Sequence, residues 1–356
     1  MVFNSQGINS KFDQVKQRLY RSFSNANSTR IAKNLEHQSI PKLQTSFLVS
    51  SRSTNSEKYY IIWRSGGGFL SILSTVLCQL QIAERFGFSP IIDFENFKTT
   101  YSEKAEINGT SNMWNYYFEP INNLPLSDIY KYGNLIFSDG NHPTDAVMSV
   151  SQDQSLREIY NKYVIPNGTT LHALSSAKQQ VIVDDFTLGI HFRGQEMRRA
   201  PGHPFPPTLS QVFAQVDQMF ENQLFKRIFL VTEGSEYEEA FKKKYGCLIQ
   251  TLPHFRRYRK NAYSISPRMN HRFLLGQEIL VDTLLLAECN SLISGSSNVS
   301  EMAILLNANE YDINCQIRNG TNSRSILLAP FLWQIKSVIP TRFGGFDKNH
   351  SSGVIG

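Results

Sequence analysis

Tyr59-Tyr60-Ile61-Ile62-Trp63-Arg64-Ser65-Gly66-Gly67-Gly68-Phe69 is the stretch on which the architecture turns. Its first five residues are apolar, aromatic or β-branched and read as a buried strand. Three glycines follow, then a helical pattern from Leu70 to Phe86 that Gly87 stops. Pro90-Ile91-Ile92-Asp93-Phe94 is the next strand. Strand, glycine loop, helix and strand make a βαβ unit, and that unit implies a parallel sheet.

The same alternation resumes near Val181. Thr187 to Phe192 is a strand, Leu209 to Asn222 a helix, Arg227 to Thr232 a strand and Ser235 to Tyr245 a helix. Leu274 to Cys289 is a long apolar helix, Ser291 to Ser294 a strand, and Val299 to Leu306 a helix. Two runs of alternating elements predict two Rossmann-like units with a cleft between them. Residues 100 to 180 are rich in aromatics, Asn and Pro and are expected to hold helices, Leu156 to Val164 among them, and long loops. Residues 1–55 are polar and basic and read as a partly flexible extension with one short helix near Phe12 to Phe23. The expected division is therefore 1–55, 56–180 and 181–345.

Composition narrows the class. The chain has 356 residues and 41% hydrophobic content, enough for a large core. Its 36 basic and 30 acidic residues leave a net charge of +6. This mild excess suits an anionic substrate or surface and does not signal a nucleic-acid partner. No apolar run approaches the ~18 residues of a membrane span, and the N-terminus lacks the apolar core of a secretory signal. Cys78, Cys247, Cys289 and Cys315 form no CxxC pair, which argues against structural zinc and for a reducing, cytoplasmic compartment. There is no DxD; Asp93-Phe94-Glu95 and Asp184-Asp185 come nearest, so no metal is expected.

Ligands of open α/β sheets sit at the carboxyl ends of strands, and four loops lie there. Gly66, Gly67 and Gly68 open a helix, either as an anion site or as a tight turn. His191-Phe192-Arg193-Gly194-Gln195-Glu196 ends a strand. Alternation puts His191 and Arg193 on one face while the strand lasts. A diphosphate would pair with Arg193 through charge-assisted bonds, unless the arginine is simply a surface residue and His191 a satisfied core histidine. Glu196 can orient Arg193 or act as a base. Glu233 follows Thr232 at another strand end, where it can accept from ribose hydroxyls or a guanine edge, or stabilise a helix N-terminus. Gly295-Ser296-Ser297-Asn298 precedes a helix as a phosphate cradle or as ordinary capping. Asp282, inside an apolar helix, needs a partner: a loop arginine, a ligand hydroxyl, Arg272 or a backbone N–H. The basic run from Pro253 to Lys260 can contact an acidic acceptor or phosphate, or form a solvated loop.

In order, these loops resemble those of the inverting fucosyltransferases that use GDP-fucose, the α1,6-fucosyltransferases and bacterial O-fucosyltransferase-like proteins in particular. The resemblance covers roughly residues 58 to 310. Gly189 to Glu196 is similar to the family's first motif, Phe229 to Gly234 to its strand ending in Ala-Thr-Asp-Asp, and Ile279 to Asp282 with Ser297-Asn298-Val299 to its third. Gly66-Gly67-Gly68-Phe69 resembles the glycine loop of the N-terminal half. The resemblance implies a GT-B-like fold, a GDP-sugar donor, a glycan or other hydroxyl acceptor and no metal or other cofactor. It implies that Arg193 grips the diphosphate, His191 shapes the pocket, Glu233 and Asp282 hold the nucleotide, and Ser297, with Ser296 beside it, meets a phosphate. The departures are Gly194 for the second arginine, Glu196 and Met197 for the motif's Asp and Lys, Gly234 for a second acid, and no glutamate in Arg198 to Pro204. Glu196 is the expected base and His203 the second choice. The expectation is an inverting, metal-independent transfer of L-fucose, with transfer from another GDP-sugar, or sugar-nucleotide or glycan binding without catalysis, as the alternatives.

Overall fold

Two sheets, one of four strands and one of five, organise the chain. The computed structural model describes residues 48–50, 57–64, 66–132, 134–138, 140, 153–184, 186–194, 197–222, 225–255 and 265–347. The segment 12–23, for which the sequence predicts a short helix, lies outside them.

The first sheet runs β1 (Leu48–Ser50), β4 (Asn134–Phe137), β2 (Lys58–Ile62), β3 (Ser89–Ile92) in spatial order. β2 is parallel to β3 and β4, while β1 pairs antiparallel with β4. The βαβ unit is present: α1 (Phe69–Phe86) leaves the glycine loop and ends at Gly87. Gly87 takes φ +65°, the left-handed conformation that closes a helix at little cost to glycine. α1 buries Phe69, Ile72, Val76 and Leu80 together with Leu70, Leu73 and Leu77, so it sits within the core rather than on it. α2 (Leu126–Tyr132), α3 (Gln154–Tyr163) and α4 (Gly168–Lys178) complete this half. β4 lies in a region whose expected content is helices and loops; at four residues it is too short to show a period against its aromatic surroundings. β1 falls within the stretch expected to be an extension.

The second sheet is wholly parallel, in the order β7 (Ile249–Gln250), β6 (Arg227–Thr232), β5 (Thr187–Phe192), β8 (Ser291–Gly295), β9 (Ile313–Ile317). The chain winds outward from β5 to β7 and then returns to the other side of β5, so the topological switch point falls between β5 and β8. α5 (Leu209–Glu221), α6 (Ser235–Tyr245), α7 (His271–Glu288) and α8 (Asn298–Leu306) connect these strands, and α9 (Ala329–Val338) follows them. This is the expected α/β class, with a Rossmann-type strand order in the second half.

Alternation along β5 assigns its two faces. Leu188, Ile190 and Phe192 pack with Val212, Val216 and Phe241 on the α5 and α6 side. Gly189 faces α7, where an added Cβ would stand 3.0 Å from Cys289 Sγ and 3.1 Å from a Leu286 methyl. His191 shares that face. The core on this side is common to both sheets: Tyr60, Leu73 and Tyr117 belong to the same buried cluster as Phe229, Leu285 and Leu292.

α7 is clamped from the first half. Asn270 before it is left-handed at φ +51° and supplies no side-chain cap. Glu103 replaces the cap, accepting from the Arg272 and Phe273 amides at 2.8 and 3.1 Å, where a carboxylate also complements the positive helix end. Tyr117 donates its hydroxyl to the Phe273 carbonyl at 3.0 Å and lies against Gly276. At the far side Arg157 donates to the Leu305 carbonyl at 2.7 Å, near the end of α8. Cys78, Cys289 and Cys315 are buried and Cys247 exposed, and no disulfide joins any of them. Burial pushes the Cys78 thiol up to about 12.

Candidate functional site

The register of β5 against β8 pairs His191 with Ser294, so the residues just beyond them, Arg193 on one strand and Gly295-Ser296-Ser297 on the other, meet at the carboxyl edge. A cavity opens there. His191, Arg193, Ser296 and Ser297 line it, with Pro206 and Pro207 opposite. It therefore occupies the switch point, where open parallel sheets take their ligands.

His191 forms the floor. It is 6% exposed, and its Nδ1 lies 3.1 Å from Ser297 Oγ. Burial, with the Arg193 cation beside it, pushes the imidazole down to about 3, so the ring is neutral at physiological pH. Ser297 Oγ also accepts from the Ser300 amide at 3.1 Å, and the direction of its bond with Nδ1 follows the ring tautomer. Because the folded pKa lies below the unfolded 6.5, the unfolded chain takes up a proton that the native state refuses. Stability is expected to fall as pH drops from 6.5 toward about 3. Denaturant melts across that range check it: His191→Gln should show a shallower acid slope than the wild type.

Ser297 is the N-cap of α8, in a reciprocal capping box with Ser300. The side chain caps, as one reading of this loop expects, and the helix N-terminus lies at the cavity. Gly295 is required by packing, because a Cβ there would stand 2.7 Å from Pro207 Cδ. The proline loop is held from behind. Phe205 donates its amide to Gly320 at 2.9 Å, Trp333 Nε1 donates to the Pro206 carbonyl at 2.8 Å, and Phe205 packs with Trp333 and Phe346.

Arg193 is one-third exposed, and its Nε lies 3.8 Å from Glu233 Oε2, a loose ion pair in which the charges steer one another more than they bond. Gly194 stands where the resembled motif carries arginine. A Cβ there would come within 2.6 Å of the Tyr237 hydroxyl and 2.8 Å of its ring, so no larger side chain fits without displacing Tyr237. Arg198 caps the same ring and lies 3.9 Å over Trp333, which ties this loop to α9.

Along the carboxyl edge from β7 to β8 the order of groups is His254, Glu233, Arg193, Ser296 and Ser297. Asp282 joins this row from α7. It is 6% exposed, and its Oδ1 is 3.0 Å from His254 Nδ1, although the contact is poorly aligned for a hydrogen bond. Among the described residues the partner is thus His254 and not Arg272, which engages the Thr100 carbonyl. In the sequence His254 is visible only as part of a basic run, and its place beside Asp282 carries no signal at short range. Arg256 to Lys260 lie outside the described residues. So does Glu196; among the described residues the carboxylate beside Arg193 is Glu233. His203 is exposed, on the loop that supplies the cavity's prolines; its carbonyl accepts from the Asn322 amide at 2.8 Å.

Gly66, Gly67 and Gly68 lie at the carboxyl edge of the other sheet and are not among the cavity's lining residues. Gly67 takes φ +105°. Arg64 braces the turn, donating to the Gly66 carbonyl at 2.9 Å and to the hydroxyls of Ser71 and Thr75. Burial pulls its guanidinium below the usual range. The two acidic stretches nearest to a metal motif have structural partners. Asp93 accepts from the amides of Glu95 and Asn96 and from the Tyr130 hydroxyl, while Asp184 pairs with Arg227 at 2.6 Å. Among the described residues no group of three or more His, Cys, Asp or Glu side chains has metal-binding geometry, and no helix is long and apolar enough to cross a membrane.

No protein-family model matches the chain, and no curated protein matches it in sequence. Solved structures do. One is NodZ alpha-1,6-fucosyltransferase co-crystallised with GDP, at 14% identity and TM-score 0.46 over 71% of this chain and 93% of that one. Crystals of fucosyltransferase NodZ from Bradyrhizobium give the same identity and score, with 71% and 94% covered. A second is a point mutant of Arabidopsis thaliana FUT1 in complex with GDP, at 11% identity and TM-score 0.45 over 85% and 77%. A third is POFUT1 in complex with GDP, at 10% identity and TM-score 0.43 over 74% and 99%. The chain is similar to these three GDP complexes.

Proposed function

We propose that the protein is a glycosyltransferase that takes L-fucose from GDP-fucose and delivers it, with inversion and without a metal, to a hydroxyl acceptor. The observation that carries this reading is the switch-point cavity itself. It sets one cation, Arg193, and one helix N-terminus, that of α8, on either side of a neutral imidazole. Those are the groups that receive a diphosphate. The motif order described above supports the guanosine and fucose assignments.

The chemistry follows from the charges. The bond from the fucosyl anomeric carbon to the β-phosphate oxygen breaks, and its electron pair leaves with GDP. Arg193 and the α8 dipole stabilise the charge that develops there. Neutral His191 adds no competing positive charge and holds Ser297 in place. The acceptor oxygen attacks the opposite face of the sugar and passes its proton to a base, for which Glu196 is the candidate and His203 the second. Glu233, and Asp282 with His254, are proposed to hold the nucleoside further along the carboxyl edge. Residues 181–345 are the proposed donor half and 56–180 the proposed acceptor half, after the 1–55 extension. In the acceptor half the Arg64 cation stands beside the positive end of α1, an arrangement that an anionic group at Gly66 to Gly68 would relieve.

Thermal-shift and calorimetric titration with GDP, GDP-fucose, GDP-mannose, UDP-glucose and NAD in EDTA tests the reading. Stabilisation by GDP and GDP-fucose is expected, with none from UDP-glucose or NAD. Indifference to every guanosine nucleotide would overturn the donor assignment. Preference for GDP-mannose would move it to another GDP-sugar. Binding without sugar release or transfer would leave a binding protein.

A further inference from the structure

The C-terminal element carries more apolar surface than its packing uses. One side of α9 is satisfied: Ala329 is fully buried, and Trp333 packs with Phe205 and Phe346. The other side presents Phe331, Ile335 and Val338, spaced four and three residues apart and therefore on one face. The turn before the helix adds Ile326 and Leu327, 78% and 82% exposed, and the turn after it adds Phe343, 68% exposed. Large apolar side chains in one contiguous element at such exposure mark a contact surface rather than scatter.

Charge identifies what covers it. From Ile313 to Phe346 the sequence has Arg318, Arg324, Lys336 and Arg342 and no acid, with Asp312 and Asp347 just outside that stretch. Lys336 reaches the Gly344 carbonyl at 2.7 Å, and Arg342 lies 4.9 Å over the Phe343 ring, so the cations border the apolar residues. The chain's own terminal segments do not complement this surface. Residues 1–47 hold seven lysines and arginines against two acids, and residues 348–356 hold Lys348 and no acid. A second copy meeting this face symmetrically would bring the same four cations together. An apolar ridge edged by cations matches the boundary between anionic headgroups and acyl chains.

We infer that α9 and its flanking turns form a peripheral docking surface for an anionic phospholipid bilayer. Phe331, Leu327 and Val338 enter the acyl boundary, and Arg324 and Arg342 meet the headgroup phosphates. The surface is coupled to the cavity. Trp333 on the opposite side of α9 stacks on Arg198 and holds the Pro206 carbonyl, and Asn322 donates to the Ala200 carbonyl at 3.2 Å. A protein docked through α9 therefore holds the 197–207 loop, which edges the cavity, close to the membrane plane, where acceptors carried on lipids would be met. The docking itself does not depend on the transferase reading.

Flotation of the full chain with vesicles of phosphatidylcholine, with and without phosphatidylglycerol, tests it. Binding to the anionic vesicles is expected, weakened by salt. The exposed double substitution Leu327→Ser/Phe331→Ser should lower the partition about tenfold or more while leaving the melting temperature unchanged. Arg324→Glu/Arg342→Glu should weaken it on anionic vesicles only. Equal binding by the Leu327/Phe331 variant would assign the affinity to the basic N-terminal segment and overturn the proposal. So would absence of wild-type binding, or a dimer in sedimentation that the same two substitutions abolish.

Discussion

Arg193→Ala is expected to reduce kcat/KM for sugar transfer about a thousandfold, the scale of removing a preorganised donor from a developing anion. The fold should survive. Arg193 is one-third exposed, and its contact with Glu233, at 3.8 Å, contributes at most about 1 kcal/mol. Affinity for GDP should fall as well, because in the proposed site the guanidinium would meet the diphosphate in ground and transition states alike. Arg193→Lys should recover only part of the loss, since an ammonium keeps the charge but not the planar fork. A second readout separates this role from a structural one. The Arg193 cation is one of the two causes that hold His191 below its ordinary value, with burial the larger, so Arg193→Ala should raise the His191 pKa without restoring it. NMR titration of the imidazole measures that shift. A folded Arg193→Ala protein with wild-type turnover would remove Arg193 from the diphosphate site.

Gly276→Val is expected to destabilise the protein by about 3 kcal/mol or to prevent folding. Gly276 lies in the middle of α7, where glycine is otherwise a poor choice. A Cβ there would stand 2.2 Å from the Tyr117 hydroxyl, 2.7 Å from its ring and 3.2 Å from Tyr101. Tyr117 cannot swing away: it is fully buried, stacks on Phe273 and donates to the Phe273 carbonyl. The two residues belong to different halves of the chain, so the substitution pushes the halves apart. Gly276→Ala combined with Tyr117→Phe makes the coupling measurable. Each single change should destabilise, Tyr117→Phe by about 1 kcal/mol for its hydrogen bond. The pair should cost less than the sum, because the atom nearest the added methyl, the hydroxyl, is the one removed. Strict additivity in denaturant melts would show that Gly276 is not there for Tyr117.

Much of the second sheet was legible because its signals are local. β6 and α6 fall where strand and helix periods place them, from Arg227 to Thr232 and from Ser235 to Tyr245. α7 begins at His271, three residues earlier than the apolar pattern, because its first turn is stabilised by Glu103 from the other half. β9 carries a weaker signal: Ile-Asn-Cys-Gln-Ile alternates as an edge strand does, but five residues with polar neighbours give the period little room. The site divides in the same way. His191, Arg193, Ser296 and Ser297 follow from strand ends and alternation. Pro206, Pro207, His254 and Tyr237 reach the site through contacts that no local pattern announces.

The sequence by itself determined the alternation of strands and helices, the loops that end the strands, and the common face of His191 and Arg193. Burial period and turn chemistry act over a few residues, so each segment states them alone. Only the tertiary structure decided which strands lie side by side, and with that where the switch point opens. It also decided that Asp282 meets His254, that Gly295 admits Pro207, and that Gly276 admits Tyr117. These depend on surfaces brought together from far along the chain, where the physical determinant is the space left between packed elements rather than the preference of any one of them.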